Sequence, residues 1–233
     1  MCDCQVTNQD KYDTMKKTFE RRIEVMKRCF IVGSGDITSR DLTVGENDFV
    51  IAADGGYLHL EKIGVKPDLL VGDFDSLGFT PDDIPIYRFP AEKDDTDMGL
   101  AVQKGIAMGG AEFILYAGSG SRPDHFYANL QLLNRYSEMG YKIRMVCPKF
   151  NVYALCEGEI GLCKDPKTVF SVFSLSDSCT GVSITNAKYE IENADLSNRF
   201  PLGVSNEFIG KTCTISIKKG VLLIFEYLSP EDN

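Results

Sequence analysis

Leu69-Leu70-Val71-Gly72-Asp73-Phe74-Asp75-Ser76 is the stretch on which the fold turns. Three apolar residues and a glycine are followed by two carboxylates placed two positions apart. A short apolar run that ends in turn chemistry reads as a buried strand. In extended chain, residues i and i+2 point to the same side. Asp73 and Asp75 therefore converge at that strand's carboxyl end, where open parallel sheets bind ligands. Like charges so close repel unless a cation sits between them. A hard divalent cation such as magnesium suits carboxylate oxygens and substrate phosphates. The plainer alternative is a solvated Asp-rich turn with Ser76 as a cap.

Outward from this strand, apolar runs alternate with helical patterns over residues 29–149. Strands are expected at Cys29–Val32, Phe49–Ala53, Leu69–Gly72, Ile86–Phe89, Phe113–Tyr116 and Ile143–Cys147. Helices are expected at Tyr57–Ile63, Thr96–Met108 and Pro123–Met139. That alternation predicts right-handed crossovers and a three-layer α/β domain with a mostly parallel sheet. Over 150–233 the pattern changes to short strand-like runs separated by turn residues, which predicts an antiparallel β-sandwich. Lys218-Lys219-Gly220 reads there as a hairpin turn. Residues 1–28 form a third region, an amphipathic helical extension. In it Tyr12, Met15, Phe19, Ile23 and Met26 recur at three- and four-residue spacing.

The 233 residues are 43% hydrophobic and 25% charged, and the formal net charge is −9. An acidic chain is a poor general binder of nucleic acid. No apolar run approaches the roughly 20 residues that cross a bilayer. The N-terminus lacks the pattern of a secretory signal. Eight cysteines without a CxxC pair, and only two histidines, argue against structural zinc. They favour a reducing cytoplasm.

Other motifs sit at predicted strand ends. Gly33-Ser34-Gly35 follows the first strand without the third glycine of a dinucleotide fingerprint, and no P-loop motif occurs anywhere. Asp54-Gly55-Gly56 ends the second strand, where its amides can face an anion; a plain turn is the alternative. Lys93-Asp94-Asp95-Thr96-Asp97 precedes a helix. Asp and Thr serve as caps and first-turn residues, yet three carboxylates exceed what a cap needs. Asp97 can complete a metal site, and Lys93 offers a phosphate-binding cation. Gly118-Ser119-Gly120-Ser121-Arg122-Pro123-Asp124-His125 follows the fifth strand. Pro123 suits the first helical turn, which holds Arg122 where it can grip a phosphate. Asp124 either orients Arg122 or binds metal. His125 is a proton carrier, a ribose contact or a packing residue.

Taken in order, these motifs resemble those of the thiamine pyrophosphokinase family. The resemblance runs from Cys29 to Asn134 and resumes at Gly203-Val204-Ser205-Asn206-Glu207. It implies an α/β catalytic domain and a β-sandwich joined in a homodimer, with the active site shared between subunits. It also implies magnesium and ATP phosphates held by Asp73, Asp75 and Asp97. Asp54, Lys93 and Arg122 would line the nucleotide site, together with Gly55, Gly56, Asp95, Thr96, Asp124 and His125. Ser205 and Asn206 would contact the thiamine pyrimidine. The chain departs from the family pattern at Ser121, where a second glycine is common, and at Ala187-Lys188-Tyr189-Glu190-Ile191. It has no tryptophan, which leaves Tyr189 and Phe208 as candidates to stack on thiamine. The implied reaction is attack of thiamine's hydroxyl on the β-phosphorus of ATP, with AMP leaving. Two rivals use the same residues: a metal-dependent nucleotide phosphohydrolase and a non-catalytic ATP-binding sensor.

Overall fold

Short, continuously apolar strands build the centre of the molecule, as expected where both faces of a parallel sheet are covered. The computed structural model describes residues 28–72, 84–88 and 95–228. The N-terminal stretch through Tyr12, Phe19 and Ile23 lies outside the described residues, as do Asp73, Asp75, Lys93 and Asp94.

The first half comprises β1 (Arg28–Val32), β2 (Phe49–Ala53), α1 (Gly56–Lys62), β3 (Leu69–Gly72), β4 (Ile86–Arg88), α2 (Asp97–Ala107), β5 (Glu112–Tyr116), α3 (Pro123–Glu138) and β6 (Lys142–Val146). The strands lie in the order β4-β3-β2-β1-β5-β6, and all neighbours in that set are parallel. The strand order reverses between β1 and β5. Side chains of β1 alternate between faces: Cys29 and Ile31 pack with Ala101 of α2 and Leu133 of α3, and Phe30 and Val32 pack with Leu60 of α1. Helices therefore cover both faces, giving three layers.

The second half is antiparallel: β7 (Phe150–Cys163), β8 (Val169–Ser174), β9 (Ser178–Thr185), β10 (Ile191–Ser197), β11 (Gly203–Glu207) and β12 (Thr212–Tyr227). It joins the first half by hydrogen bonding, because β7 pairs antiparallel with β6 and extends one sheet to 12 strands. Lys218-Lys219-Gly220 is not a hairpin turn. It lies inside the 16-residue β12, at a register shift between Ile217 and Val221. Opposite it, Glu157 and Gly158 of β7 also have positive φ, 56° and 89°. These bulge residues bend the long β7–β12 pair. The first half of β12 then pairs with β9 and the second half with β8. The core between them holds Phe170, Val182, Ile184, Phe208, Ile215 and Leu222.

Two elements escape a periodicity reading. β10 buries only Leu196 fully and is interrupted by Asn193 at φ 49°. β11 is short and largely exposed. Neither shows an alternating apolar pattern; β11 is held by pairing with β8, and β10 by pairing with β9 and by packing of Leu196, Ile191 and Ala194 on the core.

The two halves share more than a strand pair. Val152 and Leu223 belong to the same buried cluster as Leu132 and Leu133 of α3. Arg40 Nη2 donates to Asn151 Oδ1 at 2.7 Å and to the Cys147 carbonyl at 3.1 Å. Asn151 Nδ2 and the Tyr153 hydroxyl both donate to Glu226 Oε2 at 2.9 Å. Burial, followed by the nearby Glu226 charge, pushes the Tyr153 hydroxyl well above its ordinary value. The pairing of Asn151, Tyr153 and Glu226 favours one arrangement of the halves, while Arg40 Nε and Nη1 are buried without a hydrogen-bond partner among the described residues.

Candidate active site

The reversal of strand order leaves a crevice at the carboxyl ends of β1, β2 and β5, the position where open α/β sheets bind ligands. A cavity of about 520 Å³ occupies it. Three loops form its walls: Gly33-Ser34-Gly35 after β1, Asp54 after β2, and Ala117 to Arg122 after β5. The first turn of α2, with Asp95, Thr96 and Asp97, and the α3 residues His125 and Asn129 complete the lining.

The walls are tied together by backbone hydrogen bonds. Gly35 N donates to the Ala117 carbonyl at 2.9 Å, and Asp36 N to the Ser119 carbonyl at 2.7 Å. The approach is so close that a Cβ at Gly35 would strike those same two carbonyl oxygens. Gly56 is equally tight, with the Val32 carbonyl in the space of its missing Cβ. Two non-glycine residues at strand ends in the lining have left-handed backbones, Asp54 at φ 47° and Ala117 at φ 52°. Such strain costs on the order of 1–3 kcal/mol and gathers at functional sites.

Arg122 precedes the first turn of α3, with Pro123 at its start. Its Nε and Nη2 donate to the two oxygens of Asp124 at 3.0 and 2.7 Å. Both side chains are exposed. The hydrogen bonds from Arg122 hold the Asp124 carboxyl well below the usual carboxylate range. Asp124 thus orients Arg122, which borders the cavity. His125 is exposed at the same rim.

On α2, Thr96 is the N-cap, its hydroxyl accepting the Gly99 N–H at 3.1 Å. Asp95 accepts from Thr96 N at 2.8 Å and from Gln103 Nε2 at 2.9 Å, and lies 3.5 Å from Arg135 Nη1. Asp95 therefore anchors the helix while bordering the cavity. Asp97 is the half-buried first helical residue. Carboxylates fit a hard cation, and Asp54 and Asp97 share this cavity. β3 ends at Gly72 beside Asp54, whose N–H donates to the Val71 carbonyl at 2.8 Å. Among the described residues no group of three or more potential ligands is assembled. Asp73 and Asp75, next in sequence after Gly72, lie outside them.

Ser205 and Asn206 are elsewhere. Ser205, at φ 57°, borders a separate cavity of about 1060 Å³ in the antiparallel half, with Ser171, Phe173, Phe225 and Tyr227. Asn206 is 3% exposed and its amide is engaged with the backbone of Tyr189. Of the two aromatic candidates, Tyr189 is exposed. Phe208 is not available for stacking, because it is buried edge-on against Phe170 with centroids 5.1 Å apart.

Sequence reasoning passed over two residues. Asn129 is buried at the cavity wall, where its Nδ2 donates to the Gly118 carbonyl at 2.8 Å. The available signal was its position four residues after His125, on the same helix face. His59 reaches back from α1 to Gly35, with Nε2 2.9 Å from its carbonyl. No local pattern announces that contact.

Fold and crevice together define an α/β protein with a switch-point ligand site, continuous with an antiparallel unit that carries a second cavity. Residues 41–145 match the model of the thiamin pyrophosphokinase catalytic domain, and residues 159–222 match that of the thiamin pyrophosphokinase vitamin B1 binding domain. The chain belongs to the thiamin pyrophosphokinase family, and thiamine pyrophosphokinase (thiamine diphosphokinase) activity is what family and homologues support. It is 29% identical over 193 residues to a thiamine pyrophosphokinase of Bacillus subtilis (strain 168), covering 79% of this chain and 90% of the relative. A solved thiamine pyrophosphokinase structure from Bacillus subtilis superposes with a TM-score of 0.77 at 26% identity, covering 87% of this chain and 99% of that one. A family protein from Enterococcus faecalis gives 0.72 at 27% identity, with the same coverage of both chains. The thiamin pyrophosphokinase from Candida albicans, at 14% identity and a TM-score of 0.70 over 89% of this chain and 90% of that one, shares the fold. No helix among the described residues is long and apolar enough to cross a membrane.

Proposed function

We propose that the switch-point crevice binds ATP with magnesium, and that thiamine's primary hydroxyl attacks the β-phosphorus so that AMP leaves. The observation that carries this reading is the meeting of Asp54, Asp97 and Arg122 in one cavity at the ends of β2, α2 and α3. The reaction needs positioning and charge neutralisation more than covalent help.

In this reading Asp97, with Asp73 and Asp75, would hold the magnesium. Bound there, the ion would offset negative charge on the transferring phosphates. Arg122, fixed by Asp124, grips a phosphate oxygen, and Lys93 adds a second cation. Gly55 and Gly56, which follow Asp54 and do not themselves line the cavity, would turn their amides toward the nucleotide, and His125 lies at its rim. A carboxylate of the Asp75 and Asp97 pair takes the hydroxyl proton. Ser205 and Asn206 form the thiamine side. Ser205 borders a different cavity from Asp97 within one chain, which supports a homodimer in which one subunit's antiparallel half faces the other's crevice. The free cysteines among the described residues support a cytoplasmic setting.

Phosphorus NMR of ATP, thiamine and magnesium with the protein tests the reading. Thiamine diphosphate and AMP should form in equal amounts. Thiamine monophosphate with ADP would overturn it. Free phosphate without a thiamine product would favour the phosphohydrolase, and ATP binding without turnover the sensor.

A further inference from the structure

We infer that His59 is a positioning residue for the nucleotide crevice, holding the Gly33-Ser34-Gly35 wall in place through the carbonyl of Gly35. The inference rests on the reading that this crevice takes ATP.

His59 Nε2 lies 2.9 Å from the Gly35 carbonyl oxygen. A carbonyl only accepts, so Nε2 carries the hydrogen of this bond. His59 Nδ1 is buried and has no hydrogen-bond partner among the described residues. A hydrogen on Nδ1 would be buried without an acceptor, which is unfavourable. The surroundings therefore set both the ring's orientation and its tautomer.

The bond matters because of what lies on either side of it. His59 belongs to α1, which leaves β2 through Asp54, Gly55 and Gly56. Gly35 belongs to the loop leaving β1, and its N–H and that of Asp36 are bound to carbonyls of the loop leaving β5. One chain of hydrogen bonds thus runs from the exit of β2, across that of β1, to that of β5. All three loops border the same cavity. The central loop has two glycines and a serine, so large side chains do not anchor it, and ordering glycine-containing chain is entropically costly. With His59 in place the wall is set before the nucleotide arrives, which lowers what binding must order. Removing the imidazole should weaken nucleotide binding selectively, because Ser205 and the second cavity lie in the other half of the chain.

The test compares the full-length wild type with His59→Ala and His59→Gln. A glutamine amide can present an N–H near the position of imidazole Nε2. In His59→Ala, the KM for ATP and the calorimetric Kd of a non-hydrolysable ATP analogue should rise about three- to tenfold, the equivalent of one neutral hydrogen bond. The KM for thiamine should stay within about twofold, as for a loss confined to one substrate's binding. His59→Gln should recover most of the nucleotide affinity. Nitrogen NMR of the wild-type imidazole should show hydrogen on Nε2 and none on Nδ1. Equal increases in both KM values, no recovery by glutamine, or a hydrogen on Nδ1 would each overturn the inference. The analogue's affinity does not depend on turnover. A wild type that binds it without making thiamine diphosphate would sink the functional reading, while the alanine-to-glutamine binding ratio still decides the role of His59.

Discussion

Asn206 holds Tyr189 by both of its backbone polar groups: Asn206 Oδ1 accepts the Tyr189 N–H at 3.0 Å, and Nδ2 donates to the Tyr189 carbonyl at 2.8 Å. The same Oδ1 accepts the Glu207 N–H at 2.9 Å. Nearby, Ala187 pairs with Phe208, and Lys188 N donates to the Glu207 carbonyl at 2.9 Å. The buried amide stands in for a strand partner where backbone pairing stops, and it displays Tyr189 to solvent. A side-chain amide has two N–H groups. Only one of them is engaged with Tyr189.

Asn206→Ala should therefore act first on the fold. It leaves the part-buried backbone N–H and carbonyl of Tyr189 without their partner, which costs about 1–3 kcal/mol. Urea denaturation reads this directly. The KM for thiamine should rise more than the KM for ATP, since Tyr189 loses its support. A stability change below about 0.5 kcal/mol, the level of an ordinary surface substitution, would count against this role.

Asp97→Asn separates stability from chemistry. At the first turn of α2 a carboxylate gains about 0.3–1 kcal/mol from the helix dipole, so the melting temperature should move little. Turnover should fall on the order of 10²-fold or more, the scale of losing a charge-stabilising group at the reacting centre. Asp73→Asn should behave alike. Near-normal turnover at low magnesium in either variant would exclude that residue as a metal ligand.

The Arg122–Asp124 pair has a defined pH signature. Hydrogen bonds from Arg122 lower the Asp124 pKa in the folded protein, so the pair is intact above the ordinary aspartate value of about 3.9. It is lost only as pH falls through the lower native value. A carboxyl-carbon NMR titration should find Asp124 still ionised at pH values where free aspartate is largely protonated. Arg122→Gln should return its midpoint toward about 3.9, and should lower turnover at neutral pH, where the carboxylate's charge is unchanged. An Asp124 midpoint insensitive to Arg122→Gln would show that the pair does not persist in solution.

Assembly is testable by mixing. Light scattering should give twice the 25.9 kDa chain mass. Two inactive variants, Asp97→Asn and Ser205→Trp, should regain part of the wild-type activity when co-expressed, because one mixed dimer site then has both intact halves. An active monomer, or no complementation in a dimer, would exclude a shared site.

Local chemistry made much of this protein readable from its residues alone. Apolar runs followed by turn residues gave β1 to β6 within a residue or so, and both sheet faces are buried at all of them but the exposed edge strand β4. The caps of α2 and α3 follow from Thr96 and Pro123 for equally local reasons. Motif order was enough for the family. Tertiary structure alone decided what depends on contacts distant in sequence. It turned Lys218-Lys219-Gly220 from a presumed turn into a bulge, since a glycine at φ 105° serves either purpose until a partner strand is present. It placed the weakly patterned β10 and β11 by pairing them with β9 and β8. It committed Phe208 to the core and left Tyr189 exposed, although both are aromatic residues in strand-like surroundings. It joined the halves through Arg40, Asn151 and Glu226, separated by up to 186 positions in the numbering. And it brought His59 to Gly35 across 24 residues, a contact set by how α1 packs behind the sheet and written in no local pattern.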